Sequence, residues 1–165
     1  MRLLWFFLPL FIFLIACSDD DEDTSPAPDE DIVDFVILSG PTVTFTKADG
    51  ADPSVAENQD RITDNVWITR GIEGGQIYNA RSENEAVSET SPADTEWAVG
   101  NTGNIANLTF APFRTAVERP QDVVGIPLVL HLITDEVYLD VTFTSWSAGR
   151  DAQGGFSYER SSDDR

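Results

Sequence analysis

The chain has 165 residues and a formal net charge of −19, because 29 Asp and Glu residues stand against only 10 Lys and Arg. A surface this acidic disfavours nucleic acid and anionic lipid headgroups, both of which bind basic patches. Neutral sugars, cations and basic proteins remain permitted as partners. The length suits one ordinary domain, and the single cysteine excludes an intrachain disulfide.

The chain begins with a short apolar run. Residues 3–15 are apolar apart from one proline, follow Arg2, and lead through Ala16 to Cys17. The run of 13 residues is shorter than the roughly 18 needed to span a bilayer. This pattern predicts a signal peptide that is cleaved after residue 16. The alternative is a short retained anchor in which Cys17 is a core thiol.

The four residues around the predicted cleavage point, Leu14-Ile15-Ala16-Cys17, resemble the lipobox of bacterial lipoproteins. The resemblance implies that Cys17 becomes the mature N-terminus, with a diacylglycerol on its sulfur and a further acyl chain on its amine. Each buried methylene contributes about 0.8 kcal/mol to membrane association, so two or three chains form a stable anchor. The protein is therefore expected to be anchored to a membrane by lipid.

An acidic tract, Ser18-Asp19-Asp20-Asp21-Glu22-Asp23, follows the cysteine directly. It resembles the signal that carries some lipoproteins of Gram-negative bacteria to the outer leaflet of the outer membrane, which implies a location facing the cell exterior. The alternative is a solvated spacer that anionic headgroups repel. Residues 24–34, with Pro26 and Pro28 among polar residues, predict a disordered linker. The tether thus covers residues 17–34, and a single domain is expected over residues 35–165.

Within the expected domain, short apolar runs alternate with turn signals and no helical period is sustained. Predicted strands cover residues 34–38, 42–46, 66–70, 76–79, 95–99, 107–110, 128–133, 137–146 and 156–158. Alternation is strict from Val137 to Trp146, and places Phe143 on the apolar face and Tyr138 and Trp146 on the polar face. This pattern predicts an all-β fold, an antiparallel β-sandwich of either jelly-roll or immunoglobulin-like topology.

Five sequence motifs, each occurring once, lie in this domain: NQDRIT at residues 58–63, VWITRG at 66–71, SPADTEW at 91–97, YLDVTFTSW at 138–146 and GGFSYERS at 154–161. Together they make the chain similar to an uncharacterised β module of secreted and surface proteins of environmental bacteria. In such proteins the module is often followed by a C-terminal sorting tail, whereas here a lipid anchor is expected. The resemblance implies an extracellular location and assigns no activity.

The acidic stretch between the second and third predicted strands is a candidate metal site. Calcium takes six to eight hard oxygens, and this loop offers Asp49, Asp52, Asn58, Asp60 and Asp64. The spacing differs from that of an EF-hand, which has glycine where Thr63 stands. The sequence predicts either a structural calcium ion or a solvated loop that salt bridges close, with Arg61 as one candidate cation.

Aromatic residues form the second candidate site, a stacking platform for sugar rings. Trp146 lies near the Gly154-Gly155 loop, and Tyr158 is predicted across the hairpin from it. Tyr138 shares the polar face of the Trp146 strand but lies roughly 27 Å away at the rise of a strand. The alternative for each aromatic residue is core or rim packing. His131, the only histidine, lies between two leucines and is predicted to be a core residue with paired ring nitrogens.

These features favour a surface lipoprotein whose domain binds a glycan or another surface protein. One alternative is a glycoside hydrolase, which requires two carboxylates about 5 to 10 Å apart; its residues cannot be chosen from 29 acids by sequence. The other alternative is a purely structural component of the envelope. No catalytic motif and no cofactor other than the candidate calcium ion is predicted.

Overall fold

The structure is a computed structural model that describes residues 35–149 and 151–164. The predicted signal peptide, Cys17 and the tether lie outside the described residues. The described part is mostly β, as predicted, with strands β1 (Val36–Leu38), β2 (Val43–Lys47), β3 (Asp60–Arg61), β4 (Trp67–Arg70), β5 (Ile77–Asn79), β6 (Thr95–Val99), β7 (Pro127–Leu132), β8 (Val137–Trp146) and β9 (Phe156–Arg160). Helical segments are short: α1 (Phe113–Val117) and the 3₁₀ turns Ala56–Asn58, Thr102–Asn107 and Pro120–Asp122. None of the described helices has the length and apolar character to cross a membrane.

The strands form two sheets. The larger sheet has the order β2-β9-β8-β7-β6, with all neighbours antiparallel, and β1 pairs in parallel with the start of β8. The smaller sheet has the order β3-β4-β5 and is antiparallel. Strand β8 is central to the larger sheet: one edge pairs with β7, while the other pairs first with β1 and then with β9.

Side chains of both sheets meet in one hydrophobic core. The smaller sheet contributes Ile68 and Ile77, and the larger sheet contributes Trp97 and Phe143, all fully buried. Helix α1 adds Phe113, whose ring lies edge-on to Trp97 with 5.0 Å between centroids. Burying a side chain of this size contributes roughly 1.5 to 3 kcal/mol to stability, so these contacts hold the two sheets together.

The predicted strand at residues 107–110 does not form. Instead Thr102–Asn107 is a 3₁₀ turn, and Ala111 alone bridges to Trp97 through two backbone hydrogen bonds of 2.9 Å. Pro112 follows directly and has no N–H group to extend the pairing. Strand β3 was not predicted, because two residues, Asp60 and Arg61, are too few and too polar to show a period.

A β-bulge reverses the predicted face of Trp146. The odd residues of β8 from Leu139 to Phe143 are buried, as the alternation predicts. The register of β8 against β9 then shifts between Phe143 and Ser145, so that Trp146 pairs with the buried Phe156. An extra residue in one strand turns the following side chains to the other face. Trp146 therefore faces the core side of the sheet, and the prediction that it shares a face with Tyr138 is wrong.

Candidate functional site

A cleft of about 430 Å³ lies beside Trp146, at the C-terminal end of β8. This volume is within the range of roughly 300 to 1,000 Å³ found for small-molecule sites. Three loops line the cleft: the β4–β5 loop, the stretch around residues 86–88, and the β8–β9 loop. Helix α1 and the 3₁₀ turn Pro120–Asp122 complete its wall. Its polar and aromatic lining residues include Arg70, Glu73, Gln76, Arg114, Gln121 and Trp146.

Arg70 is the most constrained polar residue of the cleft, with only 3% of its surface exposed. Its Nε donates to the Gly75 carbonyl at 2.8 Å, and its Nη1 donates to the carbonyls of Ser147 and Gly155 at 2.9 and 3.0 Å. The guanidinium carbon lies 4.0 Å from the ring centroid of Trp146. These contacts fix the orientation of the guanidinium and join the β4–β5 loop to the β8–β9 loop.

The charge of Arg70 is balanced only in part. No carboxylate of the described residues forms a salt bridge with Arg70. Burial lowers the pKa of Arg70 to about 10, and the negative charge of Asp49 raises it in part. Lys47 is also buried, and within the described part of the chain its Nζ donates to the Gly154 carbonyl alone, at 3.4 Å. Burial and the nearby Arg70 lower the pKa of Lys47. Two buried cations therefore lie in this part of the fold.

The Gly154-Gly155 loop has the shape that these contacts require. Gly154 adopts a φ of +76°, and a Cβ there would overlap the Gly71 carbonyl oxygen. Asp49 accepts hydrogen bonds from the Gly155 N–H at 2.8 Å and the Ser147 hydroxyl at 3.1 Å. The Gly155 bond, followed by the Ser147 bond, lowers the pKa of Asp49. Hydrogen bonds from Arg70 to the Gly155 carbonyl and from the Gly155 N–H to Asp49 therefore both hold this loop in place.

Trp146 lines the cleft, but most of its ring is covered by other side chains. Arg70 covers one side of the indole, and the rings of Phe113, Phe143 and Phe156 lie 5.7 to 6.2 Å from it. The indole N–H groups of Trp67 and Trp97 donate to Thr63 and Thr95. Within the described residues the indole N–H of Trp146 has no such acceptor, and Trp146 is only partly buried.

Gln76 adds an unsatisfied acceptor to the same cleft wall. Its side-chain Nε2 donates to the carbonyls of Val87 and Thr90 at 2.5 and 2.9 Å, which fixes the loop opposite β5. Its Oε1 is buried and has no donor among the described residues. Buried polar atoms are almost always paired, and this one is an exception, with no exposed surface through which a ligand in the cleft could reach it.

The structure separates the three aromatic residues predicted to bind a ligand. Tyr158 is 1% exposed and donates its hydroxyl to Asp60 Oδ2 at 2.6 Å, so it presents no surface to a ligand. Tyr138 lies at the other end of β8 on the opposite face, where it stacks on His131 with 4.0 Å between centroids. Only Trp146 lines the cleft, and the predicted Trp146–Tyr158 platform does not form.

His131 is buried, as predicted, but it is not part of the hydrophobic core cluster, and the prediction that both ring nitrogens are paired holds only for Nδ1, whose partner is a carboxylate. Its Nδ1 lies 2.8 Å from Glu96 Oε1, and its Nε2 lies 3.5 Å from Glu136 Oε2 without a hydrogen bond. The ring is held between the stacked Tyr138 and the edge of Phe110. This cluster lies on the opposite face of the larger sheet from Trp146.

The five residues of the candidate calcium loop are used in separate contacts. Asp49 bonds to Gly155 and Ser147, and Asp60 bonds to Tyr158 and Arg160. Asp52 accepts from the Ser54 N–H, the Asn58 amide donates to the Asp52 carbonyl, and the Asp64 carbonyl accepts from Arg81. Across residues 35–149 and 151–164 no three His, Cys, Asp or Glu side chains are grouped as a metal would require. Calcium at this loop stays a prediction, and the ion would compete with these protein donors.

Arg70, Lys47 and Gln76 were not predicted from the sequence as residues of the site. For the two cations a signal was present: Arg70 follows Ile68, and Lys47 follows Phe45, at the two-residue spacing that puts side chains on one face of a strand. A cation that continues the buried face of a strand is expected to point inward. Gln76 has no comparable signal, because its burial depends on the loop at residues 87–90.

Comparisons with protein-family models, with curated proteins and with solved structures find no match to this chain. The fold and the cleft therefore define the class of protein: a mostly β domain with a polar cleft built from loops at one end of its larger sheet.

Proposed function

We propose that this protein is a lipid-anchored protein of the bacterial outer surface whose β-sandwich domain binds a glycan in the cleft beside Trp146. The shared core of the two sheets supports the sandwich description. The lipobox at residues 14–17 and the acidic tract after it support the anchor and the exterior location. The acidity of the chain disfavours nucleic acid as a ligand.

One observation carries the choice of a glycan: one cleft is lined by a fixed guanidinium, by side-chain amides and by the edge of an aromatic cluster. The cleft is lined by the immobilised guanidinium of Arg70, by the side-chain amides of Gln76 and Gln121, and by Trp146, whose indole N–H has no acceptor among the described residues. Sugars present many hydroxyl groups that both donate and accept hydrogen bonds, together with an apolar ring face. Such a ligand satisfies donors and acceptors at once, and sites of this kind place a few polar groups beside aromatic rings.

The cleft gives the hydrolase alternative no support. Its described lining residues include one carboxylate, Glu73. A glycosidase of the usual type positions two carboxylates on either side of the scissile bond, about 5 to 10 Å apart. Binding without turnover is therefore the function that this cleft supports best.

Substitution of Trp146 by Phe tests the binding proposal on a glycan array. Phe keeps an aromatic ring against Phe113 and Phe156 but removes the indole N–H. Loss of one hydrogen bond of about 1 kcal/mol weakens binding about fivefold. Trp67→Phe is the matched control, because the Trp67 N–H donates to Thr63 outside the cleft. Retained glycan binding by Trp146→Phe, or binding to no glycan by the unaltered protein, would count against the proposal.

Metabolic labelling with palmitate tests the anchor. The unaltered protein is expected to incorporate the label and to partition into the detergent phase, whereas Cys17→Ser is expected to do neither, because its oxygen does not accept the diacylglycerol. Labelling of the Cys17→Ser protein at the same level would contradict the lipobox assignment.

A further inference from the structure

The cleft contrasts in charge with the rest of the chain. The protein carries a net charge of −19, but the charged residues that line the cleft are Arg70, Arg114 and Glu73. The buried Lys47 lies outside the cleft lining, close enough to Arg70 for the two charges to affect each other, and Asp49 and Asp52 offset part of its charge. Glycan binding by itself requires no such concentration of cations, because neutral sugars are bound through their hydroxyl groups and ring faces.

Arg70 has the geometry of a prepared anion-binding group. Its Nε and Nη1 are occupied by three carbonyls, while its Nη2 makes no hydrogen bond to the described residues. Because the carbonyls and Trp146 already fix the guanidinium plane, little further conformational entropy is lost when a ligand binds to it. A buried cation without a carboxylate partner also gains strongly from an incoming negative charge.

Arg114 supplies a second, more mobile guanidinium at the same cleft. Its side chain is 44% exposed, and its Nε lies 3.0 Å from Glu89 Oε1. Glu89 is itself 73% exposed, so this ion pair is solvated and weak. An anionic ligand in the cleft can therefore attract Arg114 away from Glu89 at low cost.

We infer that the glycan is acidic: a saccharide that lies in the cleft beside Trp146 and whose carboxylate binds Arg70 and Arg114. This inference rests on the proposed function and names the class of its ligand. Because Nε and Nη1 of Arg70 are already used, the carboxylate would accept a charge-assisted hydrogen bond from Nη2 of Arg70 and a second one from Arg114. Arg70 remains charged at neutral pH, since its pKa is about 10.

A pair of matched ligands tests the inference: an oligogalacturonide and its methyl ester, which share the sugar backbone and differ in the carboxylate charge. Calorimetric titration of the protein is expected to give an affinity for the acid about tenfold or more above that for the ester, the usual effect of one charge-assisted hydrogen bond. Arg114→Gln is expected to lower the affinity for the acid about tenfold and that for the ester by a clearly smaller factor.

Arg119→Gln is the matched control. Arg119 is also an exposed arginine that pairs with an acid, Asp122 at 3.3 Å, but it does not line the cleft. Its substitution removes the same charge and is expected to leave both affinities unchanged. If Arg114→Gln and Arg119→Gln lowered the affinity for the acid equally, the loss would reflect the net charge of the protein and not a contact in the cleft. That result would overturn the inference.

The outcomes separate this inference from the proposed function. Equal affinity for the acid and the ester, with weaker binding of both by Trp146→Phe, would overturn the acidic ligand and leave the glycan site standing. Binding of neither ligand, together with an array on which no glycan binds, would overturn both.

Discussion

Replacing Asp60 by Ala is expected to destabilise the protein by about 3 to 5 kcal/mol, the usual cost of removing one partner from a buried ion pair. Asp60 accepts hydrogen bonds from the Tyr158 hydroxyl at 2.6 Å and from Nε and Nη2 of Arg160 at 2.6 and 2.9 Å. The side chains of Arg160 and Asp60 are 13% and 9% exposed. The substitution therefore leaves a cation and a hydroxyl group buried without their acceptor.

The position of Asp60 explains the size of this effect. It lies on β3 of the smaller sheet, whereas Tyr158 and Arg160 lie on β9 of the larger one. Burial alone lowers the pKa of Arg160, but the hydrogen bonds and charge of Asp60 raise it above the ordinary value. Burial, together with Asp60, also raises the pKa of Tyr158 well above its usual range. Asp60 thus joins the two sheets through its hydrogen bonds with Tyr158 and Arg160.

Chemical denaturation followed by tryptophan fluorescence measures the loss. Asp122→Ala is the control, because Asp122 pairs with Arg119 at the surface, with 57% of its side chain exposed; it is expected to change stability by less than about 0.5 kcal/mol. Tyr158→Phe, which removes only one of the three hydrogen bonds, is expected to fall between the two. A loss for Asp60→Ala no larger than for Asp122→Ala would contradict the assigned role.

Replacing Arg70 by Met is expected to cost about 3 kcal/mol, because three carbonyls lose their donor at once. Met has a similar length and can occupy the space beside Trp146, so the change isolates the polar contacts. The loops that these contacts join also form the cleft. Binding of the glycan is therefore expected to be lost together with the stability.

Arg119→Met provides the matched control, since Arg119 is 65% exposed and joins no loops. It is expected to change stability by less than about 0.5 kcal/mol and to bind the glycan normally. Arg70→Lys separates charge from geometry: an ammonium group keeps the charge but lacks the planar fork that reaches three carbonyls. Full stability of Arg70→Lys would show that charge alone, and not the hydrogen bonds, holds the loops.

The face that a strand buries was predictable from the alternation of apolar and polar residues along that strand. The apolar face of β8, with Leu139 and Phe143, follows from the sequence alone because side chains in a strand alternate with period two. The same rule, applied to Arg70, predicts an inward-facing cation. These predictions depend only on neighbours along the chain.

The remaining features depend on contacts between distant residues. The β-bulge that turns Trp146 to the core side arises from the pairing of β8 with β9, and the sequence of β8 keeps its alternation through it. Asp60 was assigned to a calcium loop because its partner, Arg160, lies 100 residues away. A carboxylate that binds a metal and one that closes an ion pair have the same local sequence, and only the fold distinguishes them.

The most direct test of the glycan site is to follow the indole N–H signals of Trp67, Trp97 and Trp146 by NMR while an oligogalacturonide is added. Each signal can be assigned by a single Trp→Phe substitution. The proposed site predicts that the Trp146 signal moves and saturates, because Trp146 lines the cleft and its indole N–H has no acceptor among the described residues. The signals of Trp67 and Trp97 are expected to stay in place, because their N–H groups donate to Thr63 and Thr95. A glycan that binds but moves the Trp67 signal and leaves that of Trp146 in place would contradict the site.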